Sequence, residues 1–261
     1  MKKTLVLSLF VASVLLGVET DALKTHTELS YVNTQGNTDT NAFSVDLSGE
    51  KTWSDHKIKL DVDALYGDDN GIETRNKIVG EFNYDYTVAG SFSVNYLFGY
   101  KYDRFSGYEH QLYTGPGLKY GVLSSDAHKL NVQANMLYSQ DQTMKKYYDA
   151  SGNEIKYPYP DGKDGVVTVE KSSSDDYTAY VIKGDYTWQI MENLKFLQEA
   201  SYRGDAKESK RYFAYSKTAI ESKLSEMFSL GVSYKVDYTN EPPSGNERSD
   251  RTFMTSLIID Y

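Results

Sequence analysis

The side chains best suited to chemistry here are carboxylates and amines that recur at every second residue. Asp61 and Asp63 alternate with Leu60 and Val62, and Lys235 and Asp237 alternate with Tyr234, Val236 and Tyr238. A period of two puts the charges on one face of an extended chain and the apolar groups on the other. A face of that kind lines a wet passage or locks itself with ion pairs, because charge away from bulk water must be paired or hydrated. Read this way, the lining candidates are Glu81, Asp85, Lys101, Asp103, Glu109, Lys119, Lys183, Asp185, Glu199, Lys217, Lys235 and Asp237. The same phase adds the acids Glu28, Asp46, Asp63 and Glu221 and the bases Lys59, Lys77, Lys195 and Arg203, so the two signs nearly balance.

Signatures of catalysis are missing. The chain has no G-x-x-x-x-G-K-[ST], no G-x-S-x-G and no H-E-x-x-H. Its four histidines, His26, His56, His110 and His128, lack ligand spacing. Gly115, Pro116, Gly117 and Gly121 look superficially like a phosphate loop. No helix follows them, and Pro116 removes an amide that a phosphate would need, so they read as strand glycines that ease crowding or curvature. His110 is close in sequence to Asp103 and Glu109, and an Asp–His pair can activate water. The strand phase, however, puts Glu109 inward and His110 outward or at a rim. Asp149 to Glu154 and Asp161 to Gly165 are rich in oxygen ligands but miss the calcium-loop pattern, and their residues are ordinary turn formers. With no cysteine, disulfides, thiolate metal sites and a cysteine nucleophile are excluded. No cofactor or metal is expected, and no enzymatic activity.

The elements that must position these charges are strands. Twelve alternating segments run at about 23–33, 41–53, 57–67, 74–87, 91–104, 109–122, 128–140, 177–190, 193–203, 210–222, 227–239 and 251–261. Most are ten to fourteen residues long, whereas ordinary strands have about 5–6 and a tilted bilayer crossing needs about 9–11. Connections alternate as well: short turns fall near 54–56, 88–90, 124–127, 191–192 and 225, and longer loops at 34–40, 68–73, 105–108, 142–176, 204–209 and 240–250. Residues 219–230 could also be read as a short helix; two strand ends and a turn keep the alternation unbroken. In lipid, backbone polar groups find partners only within a helix or a closed barrel. The expected fold is therefore all-β: a transmembrane antiparallel β-barrel of about 12 strands, with short periplasmic turns and longer extracellular loops. Tyr84, Tyr86, Tyr100, Tyr102, Tyr234 and Tyr238 suit the aromatic girdles of such a barrel.

Composition agrees. The net charge of −9 argues against a nucleic-acid partner, and 24 tyrosines in 261 residues suit a membrane–water interface. A positive start, Met1-Lys2-Lys3, precedes an apolar run at 4–18 that is too short to span a bilayer. Residues 1–20 read as a cleaved signal peptide and 21–261 as the exported barrel.

Three local patterns carry a family resemblance. They are Gly36-Asn37-Thr38-Asp39-Thr40; Asp103-Arg104-Phe105-Ser106-Gly107-Tyr108 followed by Gly115-Pro116-Gly117-Leu118; and Pro242-Pro243-Ser244-Gly245 with Asp250 before the last strand. In this order the chain resembles the DUF481 family of outer-membrane proteins over essentially its whole exported length. The resemblance implies a barrel in a Gram-negative outer membrane and no established ligand. Tyr261 resembles the terminal aromatic assembly signal of bacterial outer-membrane barrels. Loop 142–176 is longer than the family leads one to expect.

The functional expectation is a monomeric, narrow pore for small hydrophilic solutes or ions, whose acidic mouth gives weak cation selectivity. Its partners would be outer-membrane lipid, lipopolysaccharide and the outer-membrane assembly machinery. The alternatives are a non-conducting barrel that presents loop 142–176 to envelope partners and, third, a rim hydrolase using His110. The phase also predicts that outward positions such as Val232 reject charge while inward ones such as Ser233 accept it.

Overall fold

The computed structural model describes residues 23–34, 40–155 and 168–261. Residues 1–20, expected as a signal peptide, the Gly36 to Asp39 part of the first motif and the Asp161 to Gly165 segment lie outside the described residues. The strands are β1 (Leu23–Thr34), β2 (Thr40–Trp53), β3 (His56–Asp69), β4 (Ile72–Ala89), β5 (Phe92–Asp103), β6 (Tyr108–Ser124), β7 (His128–Thr143), β8 (Lys146–Tyr148), β9 (Thr168–Glu170), β10 (Ser174–Met191), β11 (Leu194–Asp205), β12 (Tyr212–Lys223), β13 (Phe228–Thr239) and β14 (Ser249–Asp260).

Twelve of them close into one antiparallel barrel in the order β1-β14-β13-β12-β11-β10-β7-β6-β5-β4-β3-β2. The remaining two, β8 and β9, form a small hairpin inside the long β7–β10 connection and pair only with each other. Barrel strands are 12 to 18 residues long, enough to cross a bilayer and project beyond it. Closure joins β1 to β14 from His26↔Asp260 to Ser30↔Ser256. The backbones of Thr25 and Tyr261 extend this seam, exchanging hydrogen bonds of 2.6 and 3.0 Å. Among the described residues no helix is long and apolar enough to cross a membrane.

Alternation sets the two faces. Leu60, Phe98, Met136, Leu230, Val232 and Phe253 are large, apolar and exposed on the outside, whereas their neighbours in sequence turn inward and are buried or half-buried. An exposed apolar belt around a closed, polar-lined barrel is stable only in lipid. Residues 219–230 form the end of β12, a turn and the start of β13; the helical alternative does not occur.

One rim carries only tight turns, at 54–55, 90–91, 125–127, 192–193 and 224–227, and both ends of the barrel sequence. The other carries longer connections, with one departure from expectation. Segment 68–73 is not a loop: β3 and β4 run on to a two-residue turn at Asn70 and Gly71, whose φ values of 50° and 76° are both positive. That is the hairpin turn an Asn-Gly pair adopts most readily, since both positions need the left-handed region.

The glycines of the second pattern, on β6, solve a spacing problem. The β6–β7 ladder pairs Thr114↔Tyr138 and Gly117↔Asn135 but skips Gly115 and Pro116. Pro116 has no amide to donate. At Gly115 the β7 backbone closes in, so that a Cβ there would lie 2.0 Å from the Met136 carbonyl oxygen. Only glycine fits.

Candidate functional site

The lumen is where the charged faces of the strands meet, and their side chains reach across it. Lys235 on β13 contacts Asp63 on β3 and donates to Asp46 on β2 at 2.8 Å. Lys217 on β12 donates to Glu28 on β1 at 2.7 Å and lies 3.3 Å from Asp46. Glu28 also accepts from Ser256 at 2.5 Å, and Ser256 bonds Ser30 at 2.8 Å. Two ammonium groups on β12 and β13 thus hold three carboxylates on β1, β2 and β3, with β14 between the two walls. A second bridge joins Lys77 on β4 to Asp237 on β13 at 2.6 Å, with β14, β1, β2 and β3 between them, so it spans the lumen. Lys101 adds to it, 3.5 Å from Asp237 and 3.9 Å from Asp103. A third links Lys183 on β10 to Glu81 on β4, and Glu81 also accepts the Tyr113 hydroxyl at 2.6 Å.

Against the β5, β6, β7 and β10 wall the interior is solid. Leu97, Leu137, Ala179, Val181, Tyr113 and Tyr177 form one buried apolar cluster. The Arg203 guanidinium covers it, 4.6 Å from the Tyr113 ring centre and 4.4 Å from that of Phe213, in cation–π contact with both. Arg203 is also 4.0 Å from Asp141, which accepts the Tyr177 hydroxyl at 2.9 Å. Below this cluster, toward the turn rim, a ladder of amides takes over. Gln133 donates to Asn83 at 3.1 Å and Asn135 to Asn95 at 3.0 Å.

Nearer the turn rim the lumen becomes wet. Lys119 pairs Asp85 at 2.8 Å, while Asp185 and Glu199 are exposed and Asp185 accepts from Asn131 at 2.6 Å. Toward the loop rim is a cavity of about 170 Å³, lined by Ser30, Ser44, Leu65, Gly67, Arg75 and Met254 among others. Ser30, on its wall, connects through Ser256 to Glu28 and the first network. On this wall the cavity adjoins the charged network.

Eleven of the twelve lining candidates point into the lumen, and nine of them enter the contacts just described or pair locally; Asp185 and Glu199 face water. Glu109 is the exception and corrects the expectation. A bulge between Tyr108 and His110 leaves it as the unpaired extra residue, exposed at the rim. The inward position goes to Tyr108, whose ring meets Phe213 at 6.1 Å. Such a bulge shifts the alternation by one, which no pattern of hydrophobicity announces. His110 stacks on the outward Tyr100 at 6.0 Å, while Asp103 is buried and accepts the Phe105 amide, so the structure does not bring His110 and Asp103 together. Ser233 is also corrected: it is inward but only 2 % exposed, so it has no room for a longer side chain. Residues that sequence reasoning passed over are the uncharged ones, Tyr113, Asn83, Asn95, Gln133 and Asn135. Their signal was present, because they occupy the same inward phase as the charges.

Over the loop rim, Lys146 ties the β8–β9 hairpin to the β13–β14 connection through the Ser244 carbonyl at 2.8 Å. The Met144 amide donates to the Gly107 carbonyl at 3.0 Å, adding the β5–β6 connection to the same assembly. In this loop Asp149 holds a turn: the Asn153 backbone and side-chain amides and the Ser151 amide donate to it, and keep its carboxyl below the usual range. Its oxygens are engaged by the loop itself, which is turn chemistry.

Comparison with known proteins follows the same architecture. The chain is 24% identical over 240 residues to "Uncharacterized protein YdiY" of Escherichia coli (strain K12), covering 88% of this chain and 79% of that protein. Among solved structures it is similar to the NanC porin, with 11% identity, a TM-score of 0.45 and coverage of 92% of this chain and 98% of that one. It is also similar to the translocator domain of the autotransporter NalP from Neisseria meningitidis, with 9% identity, a TM-score of 0.49 and coverage of 97% and 93%. The family model described as "Protein of unknown function, DUF481" matches residues 27–261, from within β1 through the last barrel strand, and the chain belongs to that family.

Proposed function

We propose that this barrel is a narrow conduit for small hydrophilic solutes or ions in the outer membrane of a Gram-negative envelope. The observation that carries the reading is the way the lumen is closed. Between the loop-side cavity and the wet, turn-side lumen stand Lys217, Lys235, Glu28, Asp46 and Asp63, held by ion pairs between walls that are not neighbours. A barrier of charged groups hydrates as its ion pairs part, whereas an apolar plug must dewet and rewet. In this reading the protein is exported by a cleaved signal peptide, works as a monomer, and takes no cofactor.

A second reading has its own support. The packed Leu97, Leu137, Ala179 and Val181 wall, sealed by Arg203, fills part of the lumen as a structural core would. A closed barrel displaying its knitted loops to envelope partners would look the same there. Planar-bilayer recording separates the two. The conduit reading expects small channels from the wild type and larger ones from Lys235→Ala. Silence from both proteins, with folding intact, would overturn it in favour of the closed barrel.

A further inference from the structure

The two tryptophans of the chain occupy the same arrangement twice, on the outer face at the turn rim. Trp53 at the end of β2 stacks on His56 at the start of β3, with ring centres 5.5 Å apart and planes 17° apart. His56 stacks also on Tyr84 at 5.9 Å, and its Nδ1 bonds the Tyr84 hydroxyl at 2.8 Å. Elsewhere on the same rim, Trp188 of β10 stacks on His128 at the start of β7, with 5.9 Å between centres and 24° between planes. His128 stacks on Tyr186 at 6.1 Å and 9°, and its Nδ1 bonds the Tyr186 hydroxyl at 2.9 Å. Each is a Trp–His–Tyr cluster in which the phenol holds the imidazole by its Nδ1 edge, and in the first Tyr86 also packs on His56, at 5.1 Å and tilted by 48°. A phenol is the stronger donor of the two, so Nδ1 accepts and the ring proton rests on Nε2. No partner within the described residues engages Nε2 in either cluster.

Depth places these rings among lipid headgroups. Outward of His56 on β3 come Ile58, Leu60, Val62, Ala64 and then Tyr66; outward of His128 on β7 come Leu130, Val132, Ala134, Met136 and then Tyr138. The same ten-residue spacing separates histidine from tyrosine on both strands. Ten residues at about 3.3 Å each, tilted by about 40°, cover about 25 Å of membrane, the height of the apolar band of such barrels. The two histidines therefore stand just beyond the hydrocarbon, with their open edges where phosphates lie. The acids nearby, Asp55 and Asp126, belong to the turns and lie farther out.

We propose that each Trp–His–Tyr cluster is a binding site for the phosphodiester of a glycerophospholipid, with His Nε2–H donating to a phosphate oxygen and the indole lying along the glycerol and upper acyl chain. The two sites would seat the barrel at a fixed depth by specific headgroups and not by apolar matching alone.

Because both tryptophans belong to these clusters, their emission reports on these sites and nothing else. The protein is reconstituted in bilayers of brominated phosphatidylcholine, which quenches neighbouring indoles, and unbrominated competitors are titrated in. Phosphatidylethanolamine or phosphatidylglycerol should displace the quencher at least about tenfold more effectively than a phosphate-free glucosyl diacylglycerol, the factor at the weak end of one hydrogen bond to a charged group. In the double variant His56→Phe, His128→Phe, which keeps the ring stack and removes the donor, the preference should fall to about onefold. Each single variant should lose about half of it, which keeps the test open should the double variant fail to fold; folding is read from the gel-mobility shift on heating. His110→Phe, on the outer face at the opposite rim, should leave the preference intact. Equal displacement by all competitors in the wild type, or a preference that survives both His→Phe changes, would overturn the proposal. Loss of the preference on adding inorganic phosphate to the bath would overturn the lipid as the source of the phosphate.

Discussion

Removing Lys235 tests the central claim about the lumen. Its ammonium sits between Asp46, at 2.8 Å, and Asp63, and its side chain is only 8% exposed. In Lys235→Ala, Glu28 and Asp46 keep Lys217 while Asp63 loses its contacting ammonium, so the network passes from one excess negative charge to two. Two acceptors of one ammonium lie roughly 5 Å apart; at an effective dielectric near 20 their bare repulsion is about 3 kcal/mol. That agrees with the low end of the 3–5 kcal/mol expected when one partner of a buried pair is deleted. Asp63 is 28% exposed, which argues for the low end. Urea unfolding in lipid vesicles should therefore show a loss of about 3 kcal/mol, and adding Asp63→Asn should recover about half of it. In planar bilayers the same single variant should conduct more and favour cations more strongly, most clearly in dilute salt, where screening is weakest. A loss below about 0.5 kcal/mol together with unchanged conductance would show that the pair neither holds the barrel nor blocks it.

Three further outcomes follow from the two faces, the β6 spacing and the loops. Val232→Arg, on the outer face, should cost about 2–4 kcal/mol of folding into lipid, whereas Glu199→Arg in the wet lumen should cost less than about 1; vesicle refolding yields compare them, and equal losses would contradict the register. Gly115→Ala should prevent or severely slow refolding, because its Cβ would meet the Met136 carbonyl at 2.0 Å and the β7 backbone has no free direction to move; Gly80→Ala, where a Cβ meets nothing within 4 Å, should refold normally. Deleting residues 146–170 should leave barrel refolding within about 0.5 kcal/mol of wild type, since β7 and β10 still pair from Gln142↔Ser174 inward; in bilayers it should raise conductance, and collapse of folding would show that the hairpin is part of the barrel.

The strands, their faces and the kind of lumen they enclose were legible in the order of residues alone. Alternation is a local property: successive side chains of an extended chain point to opposite sides whatever lies beyond, so Lys235, Asp237 and Glu81 could be assigned inward from their neighbours alone. Local chemistry also gave Asn70-Gly71 its turn, although its length was misjudged, and Gly115 its need for a bare backbone. Two things depended on the whole. Glu109 was lost to a bulge, because an extra residue is tolerated only where the partner strand permits it, and β7 lies across the ladder rather than along the chain. The ion pairs were equally out of reach: Lys235 and Asp46 are 189 residues apart, and Lys77 and Asp237 are 160. Which inward charges meet is fixed by the closure of β1 on β14 and by the stagger of the strands around the barrel, and these set the height and facing of every side chain at once. An amine's position on its own strand says that it must find a partner, and only the closed wall opposite decides which carboxylate that is.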